Sequence, residues 1–244
     1  MFVVEGRKAL EEATAARADV ETVYVDPAAA GDGELAVVAA AASAGAAVTE
    51  VQPGVLGRVC DTVTPQPVAA TVRSIDVTLA ELGHTRPQLV AVLAGVSDPG
   101  NAGSLLRSAA ASGAGGFVIC DGSVDLYNPK TVRASAGAIF RIPVVKGPSG
   151  DEIAPQLRSL GFRVIATSAG AGEAYTEVDL SGPVAVILGN EAHGLPASLA
   201  GACDSALSIP MAGGTESLGV AAAGAVIFFE AARQRRLARV AGAA

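Results

Sequence analysis

From Leu89 onward, short and nearly pure apolar runs alternate with segments of helical period, and this rhythm restricts the fold more than any other feature. The runs are "LVAVLAGV" (89–96), "GFVIC" (116–120), "IPVV" (142–145), "FRVIAT" (162–167), "VAVILG" (184–189) and "ALSIP" (206–210). Between and after them lie "SLLRSAAASG", "PKTVRASAGAIF", a segment around Ile153–Leu160 and a last long helix from about Ser217 to Arg236. A strand apolar on both faces has to be covered on both, and helical crossovers are the connection that parallel strands need. The predicted class is α/β, a parallel sheet with helices on both faces.

Residues 1–74 read as a smaller α/β unit. An amphipathic helix around Glu5–Arg17 precedes the strand "VETVYV". An Ala-rich helix (Glu34–Ser43), a strand near "AAVTEV", a short helix after Pro53 and the strand "VAATVR" follow. The stretch from Ser74 is more polar and ends in "GHTRPQ". It marks a boundary, giving an expected linker at 75–88 and a second domain at 89–244.

Composition narrows the function classes. At 244 residues the chain can bury a real core as one large domain or two modest ones. Its longest apolar run, Gly219 to Phe229, falls short of the roughly 18 residues of a membrane span. The start "MFVVEGRKALEE" has charges where a secretory signal has an apolar region. Cys60, Cys120 and Cys203 are odd in number and widely spaced, as suits reduced thiols, so a cytoplasmic location is expected.

A formal charge of −7 argues against coating of nucleic acid by the whole surface, while leaving room for a local basic patch. Lys8, Lys130 and Lys146 are the only lysines, so arginine, the better phosphate reader, dominates. Four arginines crowd "RQRRLAR", Arg233 to Arg239. A solvated helix end whose cations suit the helix dipole explains them as well as an RNA contact does.

Several motifs are missing. No phosphate loop, no GxGxxG turn after a first strand and no GxSxG elbow is present. "SGAGGF" (112–117) leads from a helix into a strand, the wrong order for a dinucleotide fingerprint. Two histidines and three scattered cysteines do not make a zinc site, so no metal is expected and His193 reads as a surface loop residue.

Three glycine-punctuated stretches remain, each at a strand end: "SDPGNAGSLLRSA" (97–109), "LGNEAHGL" (188–195) and "IPMAGGTESLGVAAAGA" (209–225). In open α/β sheets, ligands sit beyond the carboxyl ends of strands, where three such loops can meet. Each has a plainer reading too. Asn101 and Ser217 suit helix caps, and Pro99-Gly100 and Gly213-Gly214 suit turns. Arg107 is harder to explain that way. At helical spacing it shares a face with Gly103 and Ala111, a poor setting for apolar packing and a good one for close approach of a ligand or another chain. The last helix is apolar nearly all round, with Leu218, Ala222, Ala225 and Phe229 on one side and Val220, Gly224, Ile227 and Phe228 on another. Such a helix is buried or is a dimer contact.

Together the three stretches resemble the SpoU (TrmH-like) family of RNA 2′-O-ribose methyltransferases, in the SPOUT superfamily, over about residues 89–236. The amino-terminal "FVVEGRKALEE" and "VAATVR" are similar to the ribosomal-protein-like substrate-binding module of many members. The resemblance implies a carboxyl-terminal trefoil knot, an exception to the unknotted rule. It also implies S-adenosyl-L-methionine as cofactor, RNA as substrate with ribosomal RNA favoured, and a homodimer with the active site at its interface. By position, the resemblance places Asn101 and Arg107 on the first motif's catalytic pair. Glu191 falls on the second motif's acid and Ser217 on the third motif's serine. The cofactor would lie against Thr167, Ser168 and Ala169, against Leu188, Gly189 and Asn190, and against Ile209, Met211 and Leu218. "LGNEAHGL" would then be chiefly a backbone cradle. Arg107, whose guanidinium makes a poor general base, is expected to pair with RNA phosphate and stabilise the developing alkoxide, although the family is often described with the arginine as base.

The third motif departs from the family's usual Ser-Leu-Asn, reading Ser217-Leu218-Gly219. Relatives usually carry a further basic segment upstream of the "VEG" at Val4–Gly6. The leading expectation is a ribosomal RNA 2′-O-methyltransferase of the two-domain kind that includes antibiotic-resistance enzymes. Against it stand a catalytically impaired RNA-binding relative, a transfer RNA methyltransferase, and a small-molecule enzyme on a Rossmann-like sheet.

Overall fold

The computed structural model describes residues 1–60, 64–170, 172–213 and 217–241. The amino-terminal part holds β1 (Phe2–Glu5), α1 (Arg7–Ala15), β2 (Val20–Val25), α2 (Asp32–Ser43), β3 (Ala47–Glu50), α3 (Leu56–Val59) and β4 (Val68–Val72). Its strands form a sheet in the order β1-β4-β2-β3, with β4 antiparallel to both neighbours and β2 parallel to β3.

The rest runs α4 (Leu79–His84), β5 (Leu89–Leu93), α5 (Pro99–Ala111), β6 (Gly116–Ile119), α6 (Pro129–Ala134), β7 (Val144–Lys146), α7 (Ile153–Ser159) and β8 (Arg163–Thr167). Then come β9 (Glu173–Ala174), β10 (Val184–Leu188), α8 (Ala197–Ala202), β11 (Ser205–Ser208) and α9 (Val220–Ala241). Seven strands form one sheet, β7-β6-β5-β10-β8-β11-β9, and every pairing in it is parallel.

The apolar runs are buried on both faces, as their composition requires. Leu89, Ala91, Leu93, Phe117, Val186 and Leu188 face a core closed by α5 and α9, through Leu105, Leu106, Ile227 and Phe228. Val90, Val92, Val118, Ala185 and Ile187 face the other way, onto Leu82, Ile153, Leu157 and Leu199 of α4, α7 and α8. Cys120 lies in this second core, where burial pushes its thiol up to about 12 and makes it inert.

Local differences from the expected elements have physical causes. The expected connector at 75–88 carries α4, opened by a capping box in which Thr78 Oγ1 accepts from Glu81 N–H at 3.2 Å and Glu81 accepts from Thr78 N–H at 2.7 Å. Leu82, fully buried, packs where a Cβ on Gly116 would stand. Helix α5 begins at Pro99, not Ser104, because Pro suits the first helical position and Asp98 caps it, Oδ1 accepting from Asn101 N–H at 2.7 Å. Asn101 is therefore inside the helix and is not its cap. "PKTVRASAGAIF" breaks after α6, at Ala136 and Gly137 with φ of 49° and 85°, and resumes as a 3₁₀ turn, Ala138–Phe140. Ser217 lies three residues before α9, too far to cap it.

Contacts among the described residues join the two sheets' units, and Phe2 stacks on Phe140 at 5.9 Å as one of them. Tyr127 stacks on Phe2 at 4.6 Å, and its hydroxyl accepts from Ile75 and Asp76 N–H at 2.9 and 3.0 Å while donating to Asp76 Oδ1 at 2.6 Å. Arg133 pairs with Glu5 at 3.2 Å, and Arg141 pairs with Glu12.

Candidate active site

Strands β5, β10, β8 and β11 are neighbours, so their carboxyl ends lie side by side. Beyond them a cleft of about 590 Å³ opens, within the size range of small-ligand sites. The end of β8 and the loop after it supply Thr167, Ser168 and Ala169, the end of β10 and its loop supply Leu188, Gly189, Asn190 and Glu191, and the stretch after β11 supplies Ile209, Met211, Ser217 and Leu218. Every cofactor residue expected from sequence thus lines one cleft, with Glu191 and Ser217 beside them. Of the third motif, Gly214 to Glu216, and with them the expected Gly213-Gly214 turn, lie outside the described residues.

The loop 188–195 is built by its backbone. Asn190 and Gly194 form an antiparallel bridge, each N–H donating to the other's carbonyl at 2.9 Å. Asn190 Oδ1 accepts from Ala192 and His193 N–H at 2.9 and 3.1 Å, and Nδ2 donates to Gly95 O at 2.9 Å. A Cβ on Gly189 would overlap the Gly194 carbonyl, so glycine is required there by the bridge itself. With Asn190 engaged inside the loop and His193 exposed, the loop offers a ligand mostly main chain.

Glu191 turns away from the loop to the start of α5. It accepts from Asn101 Nδ2 at 3.0 Å, from Ser97 N–H and Oγ at 3.3 Å and from Asp98 N–H at 3.4 Å. Partial burial raises its pKa, but the Asn101 amide and the main-chain N–H groups outweigh that and hold the carboxyl below its usual range. A carboxylate at a helix N-terminus also meets a favourable dipole. Glu191 therefore ties the first motif to the second. The Ser97 and Asp98 N–H groups that hold Glu191 have no side-chain signature in the sequence, and the Ser97 hydroxyl has one only once the two loops are brought together.

Arg107 stands apart. It is exposed on α5 and makes no hydrogen bond to a described residue. Six residues past Asn101, it is about 9 Å further along the helix and points to another side. It does not line the cleft of its own chain. Gly103, expected to open that face for a ligand, instead admits α6, because a Cβ there would meet Ala134 and the Thr131 carbonyl.

Cleft residues missed from sequence include Val220, Ala223 and Ile227, on one side of the first two turns of α9. Their helical spacing was the available signal. The arginines of "RQRRLAR" divide: Arg233 pairs with Glu230 at 2.7 Å, Arg235 is buried, and Arg236 and Arg239 are exposed. Among the described residues no cluster of three metal-ligating side chains occurs and no helix is long and apolar enough to cross a membrane.

A parallel sheet with a main-chain cleft at the ends of adjacent strands defines an α/β protein built to hold a small ligand there. The chain belongs to the SpoU rRNA Methylase family, whose profile matches residues 88–229, and residues 3–77 match the RNA 2′-O ribose methyltransferase substrate binding profile. An uncharacterized tRNA/rRNA methyltransferase of Mycolicibacterium vanbaalenii is 34% identical over 243 residues, 97% of this chain and 77% of that protein. The 23S rRNA (guanosine(2553)-2′-O)-methyltransferase of Bacillus subtilis is 36% identical over 171 residues, 70% of this chain and 66% of the relative. The alignment spans about half, 51%, of a similar Mycobacterium ulcerans protein.

Among solved structures, the SpoU methyltransferase AviRb from Streptomyces viridochromogenes superposes with a TM-score of 0.86 at 28% identity, covering 97% of this chain and 90% of that one. The same enzyme in complex with the cofactor AdoMet gives 0.85, covering 96% and 90% at 28% identity. An rRNA methyltransferase from Sinorhizobium meliloti gives 0.83 at 30% identity, covering 95% and 86%.

Proposed function

We propose that this protein transfers a methyl group from S-adenosyl-L-methionine to a ribose 2′-oxygen of structured RNA, ribosomal RNA in particular. The observation that carries this is the cleft. Three strand-end loops, all expected to touch the cofactor, converge on it and present main chain and an apolar floor of Leu188, Ile209 and Ile227. Such a lining fits a flat, uncharged base and the methylene groups of an aliphatic chain. The cofactor supplies an electrophilic methyl group on a sulfonium. The protein's task is then alignment and stabilisation of the 2′-oxygen as its proton leaves.

In this reading Asn101 and Glu191 hold the first motif over the cleft, and Ser217 sits at its rim. Arg107 pairs with an RNA phosphate and stabilises the alkoxide, with the phosphate accepting the proton. Because Arg107 is remote from its own cleft, it serves the cleft of a second copy, which makes the protein a homodimer. Phe229, Leu237 and Val240 support this: they are exposed along one stripe of α9. A trefoil knot at the carboxyl end, a cytoplasmic location, and domains at 1–74 and 89–244 joined by 75–88 complete the proposal. Residues 1–74 hold five Lys and Arg against ten Asp and Glu, so this unit would recognise RNA by shape and bases more than by phosphate neutralisation.

Labelled methyl transfer to ribosomal and transfer RNA tests the proposal. Transfer to ribosomal RNA is expected. Cofactor binding without transfer to either RNA would favour an impaired relative, and absence of cofactor binding would remove the reading altogether.

A further inference from the structure

Helix α5 ends in a Schellman arrangement, with Ala114 N–H bonded to Ala109 O at 2.9 Å, Gly113 N–H to Ala110 O at 3.1 Å, and Gly113 at a φ of 75°. The Ser112 carbonyl is left outside this pattern, and Arg235 Nη2 donates to it at 3.0 Å. Arg235 comes from α9 and is only 8% exposed, and its Nη1 is buried with no partner among the described residues. Burial depresses its basicity, and Arg239 adds to this.

A buried guanidinium with one hydrogen bond and one unmatched nitrogen is a poor source of stability, since an apolar side chain of similar volume often does as well or better. Its effect is specific instead. It sets a positive charge against the negative end of α5. The opposite end of the same helix meets the Glu191 carboxylate, which accepts from Ser97, Asp98 and Asn101. Each charge matches the helix end it meets, and each comes from an element that lines the cleft: the loop after β10 and helix α9. Arg107 lies between the two clamps, five residues or about 7.5 Å before Ser112.

We propose that Arg235 is a positioning residue for methyl transfer, fixing the carboxyl end of α5 so that Arg107 keeps the orientation the reaction needs. This rests on the functional reading above. Arg235 is eight residues, about 12 Å, beyond Ile227, the last cleft residue of α9. A change at Arg235 therefore reaches α5 without reaching the cofactor.

The test uses Arg235→Met and Arg235→Lys in the full chain. Arg235→Met is expected to lower kcat on RNA by about 10-fold or more, in keeping with the sensitivity of such reactions to misplacement of about 1 Å by a distant substitution. Cofactor affinity stays within about two-fold, and the thermal midpoint is held or raised, as an apolar replacement allows. Amide exchange of Ser112, Gly113 and Ala114 speeds up. Arg235→Lys, which keeps a cation at the helix end, recovers part of kcat. A parallel fall of kcat, cofactor affinity and thermal midpoint would show a merely structural residue and overturn the proposal. So would faster exchange at α5 with kcat unchanged. A wild type that transfers no methyl group overturns the functional reading and this proposal with it, whereas an active wild type matched by Arg235→Met overturns the proposal alone.

Discussion

Asn101 Nδ2 donates to Glu191 Oε1 at 3.0 Å, joining two glycine-rich stretches 90 residues apart in the chain. The bond makes helix α5 and the loop after β10 a single piece, and it directs what a change in either should do.

Glu191→Gln keeps the size of the side chain and removes its charge, leaving the Ser97 and Asp98 N–H groups without a charged acceptor. Cofactor affinity should fall by about 5- to 10-fold, near 1 kcal/mol for hydrogen bonds at an exposed carboxylate. The folded carboxyl titrates below its ordinary 4.5, so its contribution is complete above that value and is lost as pH falls through the lower, folded one. Cofactor binding by the wild type should be flat from about pH 8 to 5 and fall below that range, and Glu191→Gln should lack the acid limb. A Glu191-dependent midpoint near neutrality, measured by calorimetry across pH, would contradict this.

Gly189→Ala places a methyl group against the Gly194 carbonyl, and backbone cannot step aside as a flexible side chain can. Overpacking of this kind should cost about 1–3 kcal/mol of stability. Because the bridge that forms the cradle has to open, cofactor affinity should fall by at least about 10-fold, more than the roughly 1.4 kcal/mol that defines a decade. Denaturant unfolding and calorimetry on the same samples separate the two effects.

Phe229 is 49% exposed on the outer stripe of α9. Phe229→Glu should convert a dimer to monomers in sedimentation at micromolar concentration, since an unpaired charge would be buried in the contact. Turnover should disappear with the dimer while cofactor binding survives. A wild-type monomer would leave Arg107 without a cleft to serve.

Gly219 precedes α9, and a Cβ there meets no atom of the described residues within 4 Å. Gly219→Asn is therefore free to make new bonds. If one reaches the cofactor, affinity or turnover should rise by up to about 1–1.5 kcal/mol. An Asn in the cap position adds only a few tenths of a kcal/mol to the helix. A change in thermal midpoint alone would assign the position to capping.

The parallel sheet was legible because burial on both faces forces apolar runs, and the cleft was legible because its strand-end loops carry glycines that the backbone needs. What escaped reading depends on distant partners. Helix α4 lies in a polar stretch, and what makes it part of the core is Leu82, packed on Gly116 of β6, with Leu79 partly buried against the same cluster. Asp98 capped α5 earlier than the pattern implied, which turned Asn101 from a cap into a partner for Glu191. The burial of Arg235 could not be read from "RQRRLAR", because its partner is a carbonyl 123 residues away.

The position of the transferred methyl group tests the account most directly. Ribosomal RNA methylated with labelled S-adenosyl-L-methionine should be digested with alkali and the products resolved. A 2′-O-methyl group blocks cleavage of its own phosphodiester, so the account predicts label in an alkali-resistant dinucleotide derived from one site. Arg107→Ala should reduce that label by roughly 10²-fold, as loss of an oxyanion donor does, with cofactor affinity unchanged. Label recovered instead in alkali-labile mononucleotides would place the methyl group on a base, and would contradict the account.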